Sequence, residues 1–278
     1  MSAEQQLKDG DIAAALTSLK QQIRSDASNP KYRVFLFQIL AVAGDWQKAL
    51  DQLNVVGELD ASALPMVQTY RETIACELLR KEIFAGGRSP LIMGDPDDWI
   101  ARLLQSLGLG AAAHWEQAEA LRGDAFEMAP ATSGTIDGQP FEWIADADSR
   151  LGPVLEAIVN GRYCWVPFNR IRQIEIEAPC DLRDGVWLPV NFVWSSGGET
   201  VGFVPTRYVG SELIDDNGVK LSRKTIWQEA TANTVLGFGQ RMLTTDTGEY
   251  SLMDVRKIVF DTPAGASSDS GSAEPNDG

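Results

Sequence analysis

The sequence has few of the residues that build metal centres and acid–base catalytic sites. Its 278 residues include one histidine, His114, and three cysteines, Cys76, Cys164 and Cys180. A zinc site needs about four ligands at short spacings, and these cysteines have no near neighbour of that kind. Nucleophilic catalysis with a histidine base has a single candidate. We therefore expect no metal site, no cofactor and no catalytic residues, and we interpret the cysteines as buried thiols in a reducing cytoplasm.

Positive charge is also scarce, since 24 Lys and Arg stand against 39 Asp and Glu, a formal net charge of −15. Nucleic acids and anionic membranes both attract clustered Lys and Arg, so this balance argues against either as a partner. The longest apolar run, 34–43, is about half of the roughly 20 residues that a membrane helix needs. The first residues lack the basic and apolar segments of a signal peptide. The sequence predicts a cytoplasmic protein and leaves basic or amphipathic protein partners open.

A repeat is present near the N terminus, with a period of about 34 residues that is typical of tetratricopeptide units. Gly10-Asp11 returns as Gly44-Asp45, and each unit of such a repeat is a pair of helices. Glycine ends one helix in the left-handed conformation, and aspartate caps the next by accepting from its free N–H groups. Two units do not bury a continuous core, so further helices are needed. We predict them at about 62–85, from Asp95-Pro96 onward with Gly108 as the C-cap, and at about 111–122.

The character of the sequence changes near residue 130. The segment 128–134 is small, polar and contains Pro and Gly, which is typical of a linker. Short apolar runs with turn signals follow, including a hairpin signal at Asp137-Gly138. Such runs favour a small barrel or a strongly bent sheet. One helix, Arg150–Asn160, is predicted among strands at 163–166, 174–177, 186–193, 201–204 and 252–260.

The predicted fold class is α+β: an N-terminal tetratricopeptide-like α-helical superhelix followed by a β-rich small barrel or bent sheet with one helix. We expect a helical domain, 1–130, a β-rich domain, 131–262, and a disordered acidic tail, 263–278. The tail is predicted to be disordered because it contains small and polar residues and no large apolar side chain.

Two acidic clusters are the remaining enzyme candidates. Asp146 and Asp148 precede one arginine, and Asp181 begins a similar cluster around another. In an extended chain the first pair places two carboxylates on one side, which suits Mg²⁺ or divided acid and base roles. The other interpretation is that these aspartates cap helices and pair with the arginines beside them. A metal-dependent hydrolase using Asp146, Asp148 or Asp181 therefore stays open as an alternative function.

Tryptophan is concentrated in the strand-rich half. Most of these side chains are expected in the core, because a small barrel needs large side chains to fill it. A minority are expected at the surface, where aromatic residues anchor protein interfaces. Exposed tryptophans keep a third function open, a purely structural scaffold that forms homo-oligomers. The five tryptophans of this half are Trp143, Trp165, Trp187, Trp194 and Trp227.

An ordered series of motifs gives the most specific signal in the sequence. The motifs are Asp146-x-Asp148-Ser149-Arg150-Leu151-Gly152-Pro153, Trp165-x-Pro167-Phe168, Pro179-x-Asp181-Leu182-Arg183-Asp184-x-Val186-Trp187, Pro205-x-Arg207-Tyr208-x-Gly210-Ser211-Glu212 and Gly239-Gln240-Arg241. In this order they resemble the ImpE family, whose members are accessory components of bacterial type VI secretion clusters. Segments 84–90 and 95–99 continue the resemblance, which spans roughly residues 7 to 260.

The resemblance implies an adaptor rather than an enzyme. Members of the family are associated with the contractile sheath, bind the small sheath subunit through its N-terminal helical region, and are linked to the AAA+ ATPase that recycles the sheath. The residues are compatible with this role, because tetratricopeptide-like helix pairs form a concave groove that accepts a helix. The acidic balance favours a basic peptide. The resemblance supplies no binding residues to transfer to this chain.

Overall fold

Helices dominate the first half of the chain in a computed structural model that describes residues 1–95 and 97–261. They are α1 (Ala3–Lys8), α2 (Ile12–Ser25), α3 (Pro30–Ala43), α4 (Trp46–Leu59), α5 (Leu64–Phe84), α6 (Asp98–Ala111) and α7 (Trp115–Met128), and a short α8 (Asn217–Lys220) follows in the second half. The tail predicted to be disordered, 263–278, lies outside the described residues, as does Pro96.

The N-terminal repeat corresponds to two helix pairs, α1–α2 and α3–α4. Gly10 and Gly44 adopt the left-handed conformation, with φ of 85° and 74°, as predicted for residues that end helices. Asp11 caps α2 through a 2.9 Å hydrogen bond from a backbone N–H of the first turn. Asp45 stands at the equivalent position before α4, but its carboxylate pairs with Lys48 at 2.5 Å and makes no capping bond. The repeat is confirmed, and one of its two predicted caps is formed.

Three predicted boundaries in the helical half are wrong. The helix expected to open at 95–96 begins at Asp98, so another aspartate precedes it. Gly108 does not end that helix but lies inside α6. Gly110, two residues beyond the expected stop, is buried, and this packing outweighs the roughly 1 kcal/mol that glycine costs within a helix. The next helix, α7, consequently starts four residues later than expected.

The second half forms an open, mixed sheet with smaller sheets beside it. Its strands, in chain order from a short strand in the helical half, are β1 (Leu91–Ile92), β2 (Gly134–Ile136), β3 (Gln139–Phe141), β4 (Ile144–Asp146), β5 (Val154–Val159), β6 (Arg162–Pro167), β7 (Ile171–Ile176), β8 (Trp187–Trp194), β9 (Glu199–Pro205), β10 (Thr225–Thr231), β11 (Thr234–Gly239), β12 (Met242–Thr245), β13 (Glu249–Ser251) and β14 (Lys257–Phe260). The main sheet has the order β1-β6-β5-β9-β8-β7-β14-β2-β3. Because this order is linear, with β1 and β3 at its edges, the sheet is open and is not a closed barrel.

The hairpin signal and most predicted strands are confirmed. Asp137 and Gly138 join β2 to β3 and both have positive φ, 48° and 83°, as a type I′ turn requires. The four predicted strands between residues 163 and 204 correspond to β6, β7, β8 and β9. The last prediction, 252–260, is too long, since β14 begins at Lys257.

The segment predicted as a helix, Arg150–Asn160, contains a strand instead. All six residues of β5 are buried. Val154 and Ile158 on one face belong to the core shared with the helices, whereas Leu155 on the other face belongs to a second core. A strand that is buried on both faces is apolar almost throughout, so it lacks the alternation by which a strand is recognised in a sequence.

The helical half and the main sheet share one hydrophobic core. Leu19 and Phe37 of the helices belong to the same cluster of buried side chains as Trp165 and Trp187 of the sheet. The chain between α5 and α6 also contributes β1, which pairs in parallel with β6. On its opposite face the sheet packs against the small β13-β12-β4 sheet, through a second core that includes Leu243. A domain boundary near residue 130 stays a prediction, and the packing is continuous across it.

Candidate functional site

The face formed by α1, α3 and α5 is covered by the chain's own second half. Every residue of α3 from Leu36 to Val42 is buried. Arg207 donates hydrogen bonds to two carbonyls at the end of α3, at 2.7 and 2.9 Å, and Arg223 does the same at the end of α1, at 2.6 and 2.9 Å. Gln38 donates to Asp181 at 2.8 Å. In the described part of the chain, this face is therefore not an open groove for a partner helix.

An uncovered groove lies instead beside the N-terminal part of α5, over the interior of the main sheet. Its volume is about 980 Å³. Thr69 and Thr73 of α5 form one wall, and the floor includes the apolar side chains of Pro189, Val201 and Phe203 from β8 and β9. The strands beneath it, β9, β8 and β7, each lie between two other strands of the sheet. The groove therefore exposes mainly the face of the sheet, with a short edge at 199–201 of β9, since β9 pairs with β5 at Gly202 and Phe203.

The rim of the groove is acidic. Glu72 lies on the α5 side, and Glu175 and Glu177 lie on the β7 side. Lys257 pairs with Glu175 at 3.0 Å, and the guanidinium of Arg256 donates to two backbone carbonyls of its own loop. Within the described residues, Glu72 and Glu177 take part in no ion pair. Glu72 and Glu177 thus stand on opposite sides of an apolar floor, and the lining carries three carboxylates against the two cations Arg256 and Lys257.

A network of buried charges joins α5 to the sheet. Glu156, in the middle of β5, is fully buried and accepts two hydrogen bonds from Arg80 of α5, at 2.5 and 2.8 Å. It also accepts from the hydroxyl of Tyr163 at 2.5 Å and from Arg241. Asp146 pairs with the other side of the Arg241 guanidinium. Each charge in this network has an oppositely charged partner, as burial requires.

Burial and charge act against each other on the acids of this network. Burial raises the pKa of Asp146 to about 6, and the Arg241 guanidinium opposes this only in part. Burial also acts to raise the pKa of Glu156, but Arg80 and Arg241 together outweigh it and bring that pKa to about 2. Burial raises the pKa of Glu77, with Arg80 partly offsetting the effect. All three acids are enclosed by protein, so the geometry of the network suits a structural role.

The aspartates of the first acidic cluster are saturated by donors from the protein. One oxygen of Asp148 accepts from the backbone and side chain of Arg150, and the other accepts from Arg150 and from the N–H of Gly237 at 2.8 Å. The carboxylate of Asp146 accepts from the N–H of Asp148 at 2.9 Å in addition to Arg241. Both aspartates are buried. This is the pairing arrangement weighed from the sequence, although Asp148 stabilises a turn and not the predicted helix.

The second cluster lies elsewhere and caps a short helix. Asp181 and Asp184 form a capping box at the start of the 3₁₀ helix Leu182–Gly185. Asp181 also pairs with Arg183 at 2.8 Å. The structure thus gives Asp181 different partners from those of Asp146. Among residues 1–95 and 97–261, no group of three or more His, Cys, Asp or Glu side chains is placed to hold a metal ion.

The histidine and the cysteines lie apart from the groove lining. His114 is the N-cap residue of α7. It therefore lies outside that helix, whereas the sequence predicts it within a helix at about 111–122. Cys76 and Cys164 are buried as predicted, and burial raises the pKa of these thiols to about 11 and about 12. Cys180 is exposed, contrary to the prediction, and the nearby carboxylate of Asp184 raises its pKa. All three thiols are therefore weak nucleophiles at neutral pH.

The tryptophans of the second half divide between core and surface. Trp165 and Trp187 are fully buried, and Trp194 is partly buried. Trp143 and Trp227 are each 41% exposed. The prediction that a minority of these side chains reach the surface is confirmed. No helix in the described part of the chain is both long and apolar enough to span a bilayer.

Comparison with known proteins decides the family. The family model described as ImpE protein matches residues 138–259. A curated relative from Pseudomonas aeruginosa, the type VI secretion system accessory component TagJ, is 52% identical over 261 residues, which cover 94% of this chain and 92% of that protein. The chain belongs to the ImpE family. The resemblance read from the ordered motifs is thereby confirmed.

The fold is shared with a solved structure. A crystal structure of a protein from Vibrio parahaemolyticus matches with a TM-score of 0.86, covering 94% of this chain and 98% of that one. The two sequences are 24% identical, so the match concerns the fold alone. The ImpE family model covers most of the groove floor and Glu156 of the ion network, whereas Glu72 and Arg80 lie in the helical half outside the matched residues.

Proposed function

We propose that this ImpE-family chain is a non-enzymatic accessory protein of a bacterial type VI secretion system, located in the cytoplasm. The observation that carries the proposal is its 52% identity with TagJ, a type VI secretion accessory component, over nearly the whole of both chains. Within that system the chain acts as an adaptor that binds the small subunit of the contractile sheath through its N-terminal helix. A contribution to sheath recycling by the AAA+ ATPase follows from holding that subunit.

The geometry supports binding better than catalysis. The groove combines an apolar floor with acidic rims, and none of the described residues that line it is a histidine or a cysteine. The carboxylates of Asp146 and Asp148 are buried and bonded to protein donors. Asp181 is committed to a helix cap and an ion pair. The alternative of a metal-dependent hydrolase using these aspartates is therefore not favoured.

The direct experiment measures binding of a helix. A fluorescently labelled peptide covering the N-terminal helical segment of the small sheath subunit of the same cluster is titrated with the full chain, and anisotropy is followed. We expect saturable binding with a Kd in the micromolar range or tighter, which corresponds to a binding free energy of about −8 kcal/mol or more negative. A scrambled peptide is expected not to bind. Absence of binding up to a protein concentration of about 100 µM would overturn the proposed partner. A Kd of that size corresponds to a binding free energy of about −5 kcal/mol.

Charge gives this experiment a second readout. The chain carries a net charge of −15, so a basic peptide is attracted over distances that salt shortens. The Debye length falls from about 10 Å at 0.1 M to about 3 Å at 1 M ionic strength. Affinity for the labelled peptide is expected to weaken over this range, chiefly through slower association. Salt-independent binding would remove the electrostatic part of the proposal.

A second candidate function, a homo-oligomeric scaffold, rests on the exposed tryptophans. Trp143 and Trp227 are exposed, and tryptophan is the kind of side chain that anchors interfaces between subunits. Sedimentation of the full chain at tens of micromolar distinguishes the two functions. A monomer that binds the sheath peptide supports the adaptor, whereas a stable oligomer without peptide binding supports the scaffold.

A further inference from the structure

We infer that the groove beside α5 is the seat of an amphipathic helix whose apolar stripe is flanked by Lys or Arg. The inference rests on the proposed function, since it names the surface at which a sheath helix is held. It assigns that surface to the face of the main sheet and not to the α1, α3 and α5 face, which the second half of the chain covers.

A helix fits this groove better than a strand does, because most of the groove lies over the interior of the sheet. β8 and β7 have a neighbouring strand on either side, and β9 pairs with β5 at Gly202 and Phe203. A peptide strand docks by pairing with a free sheet edge, and among the described residues this surface offers only the three at the start of β9, 199–201. A helix satisfies its own backbone hydrogen bonds and needs only side-chain contacts, so it is the conformation that this surface accepts.

The width of the open face matches one helix. α5 packs over β5 and β6. Its Tyr70 also contacts Trp187 of β8 and Phe203 of β9, and the outer ends of β9, β8 and β7 beyond this contact are uncovered. Adjacent strands lie about 4.8 Å apart, so three of them span about 10–15 Å. A helix with its side chains is about 10–12 Å in diameter. A helix bound here lies next to α5 on the same face of the sheet. The wall on that side consists of the small side chains of Thr69 and Thr73.

The floor supplies the apolar contact. Val201, the third residue of β9, is 76% exposed, although β-branched residues of this kind are usually covered within a sheet. Phe203 and Pro189, which are paired across β9 and β8, continue the apolar surface towards α5. A docked apolar stripe removes these side chains from water at about 25 cal/mol per Å² of surface buried.

The rims select the charge of the occupant. Glu72 and Glu177 stand on opposite sides of the floor, and neither has an ion-pair partner among the described residues. A helix with Lys or Arg on both flanks of its apolar stripe places one positive charge near each carboxylate. Arg256 and Lys257 also line the β7 side, so the lining as a whole carries three carboxylates against two cations. The remaining negative charge favours a basic helix over an acidic one.

The test compares matched substitutions in the anisotropy titration with the sheath peptide. Val201→Asp places a charge on the floor, and Leu213→Asp makes the same kind of change at a residue that is 70% exposed and lies outside the groove. We expect Val201→Asp to raise Kd at least about tenfold, the effect of losing one buried apolar contact. Leu213→Asp is expected to change Kd by less than about twofold, as for an ordinary surface substitution.

The rims are tested in the same way by charge reversal. Glu72→Lys and Glu177→Lys are each expected to raise Kd by about two- to fivefold, as for exposed charge pairs. Both are also expected to flatten the dependence of Kd on salt. Glu58→Lys, on the exposed surface of α4, makes the same change in net charge and is the control. Equal effects of all three substitutions would show that net charge acts without the groove.

The outcomes separate this inference from the proposed function. If wild type binds the peptide and Val201→Asp binds it as tightly as Leu213→Asp does, the groove is not the seat, although the adaptor role stands. If wild type does not bind, the proposed function fails and the assignment fails with it. If sedimentation finds a wild-type dimer that Val201→Asp converts to monomer, a second copy of the chain occupies the groove, and the inference is overturned.

Discussion

Replacing Glu156 by glutamine tests how strongly the buried ion network ties α5 to the sheet. The substitution keeps the shape of the side chain and removes the negative charge that Arg80 and Arg241 share. The side chains of these arginines are 2% and 0% exposed, so water does not replace the lost partner. Glu77 and Asp146 remain as counter-ions and moderate the effect. Removing one partner from a buried ion pair usually costs about 3–5 kcal/mol.

The titration of Glu156 gives the magnitude by a second route. Its pKa is about 2 in the folded chain, against about 4.3 for an ordinary glutamate. A difference of about two units corresponds to about 3 kcal/mol. Because the folded pKa is the lower one, this stabilisation is complete above about pH 4.3 and is lost as pH falls towards 2. Both routes give about 3–4 kcal/mol of lost stability for Glu156→Gln at pH 7.

Urea unfolding at pH 7, followed by tryptophan fluorescence and far-ultraviolet circular dichroism, measures this loss. The control is Glu175→Gln on β7, which removes the same charge from an exposed pair with Lys257, with side chains 47% and 49% exposed. The control is expected to lose less than about 1 kcal/mol. A loss below about 1 kcal/mol for Glu156→Gln, or equal losses in the two variants, would refute the role given to the network.

Other changes test the shared core, the titration of the network and the helix ends. A fragment of residues 1–130 is expected to show no cooperative unfolding transition by circular dichroism, because α3 and α5 lose their cover; a sharp transition would contradict this. The native pKa of Asp146, about 6, lies above the unfolded value of about 3.9, so wild type loses stability as pH rises from 4 to 6. Asp146→Asn lacks this loss, so its free energy of unfolding minus that of wild type should rise by about 1–3 kcal/mol between pH 4 and 7; a pH-independent difference in urea unfolding would count against it. Gly10→Ala is expected to cost about 1 kcal/mol for its left-handed backbone. Gly44→Ala is expected to cost more, because a Cβ there meets Glu212 at 2.4 Å whereas the nearest atom at position 10 is 3.8 Å away; equal losses in Tm would argue against the contact.

The helical half was predictable because its signals are local. Gly10-Asp11 and its copy at Gly44-Asp45 mark helix ends through backbone conformation and capping, which depend on adjacent residues only. The Asp137-Gly138 hairpin was recognised for the same reason. Local signals gave a wrong prediction for the segment 150–160, where burial is unusual. β5 is buried on both faces, so its apolar run has the composition of a buried helix.

The ion network and the groove depend on contacts that no local pattern records. Glu156 meets Arg80 across 76 residues and Arg241 across 85 residues. The one available signal is Glu156 itself, a single charge within an apolar run, which must find a partner if it is buried. The groove results from which strands α5 covers, and that follows from the packing of the two halves together.

The cover over α3 has a consequence for the order in which the chain is made. Arg207, which bonds to the carbonyl of Val42, is synthesised 165 residues after it. At about 5–20 residues per second, this separation corresponds to about 10–30 s on the ribosome. During that interval α1–α5 exist without the surface that completes their core. A nascent chain that ends before residue 207 presents the apolar face of α3 to chaperones, and the first half reaches its final packing only as synthesis nears its end.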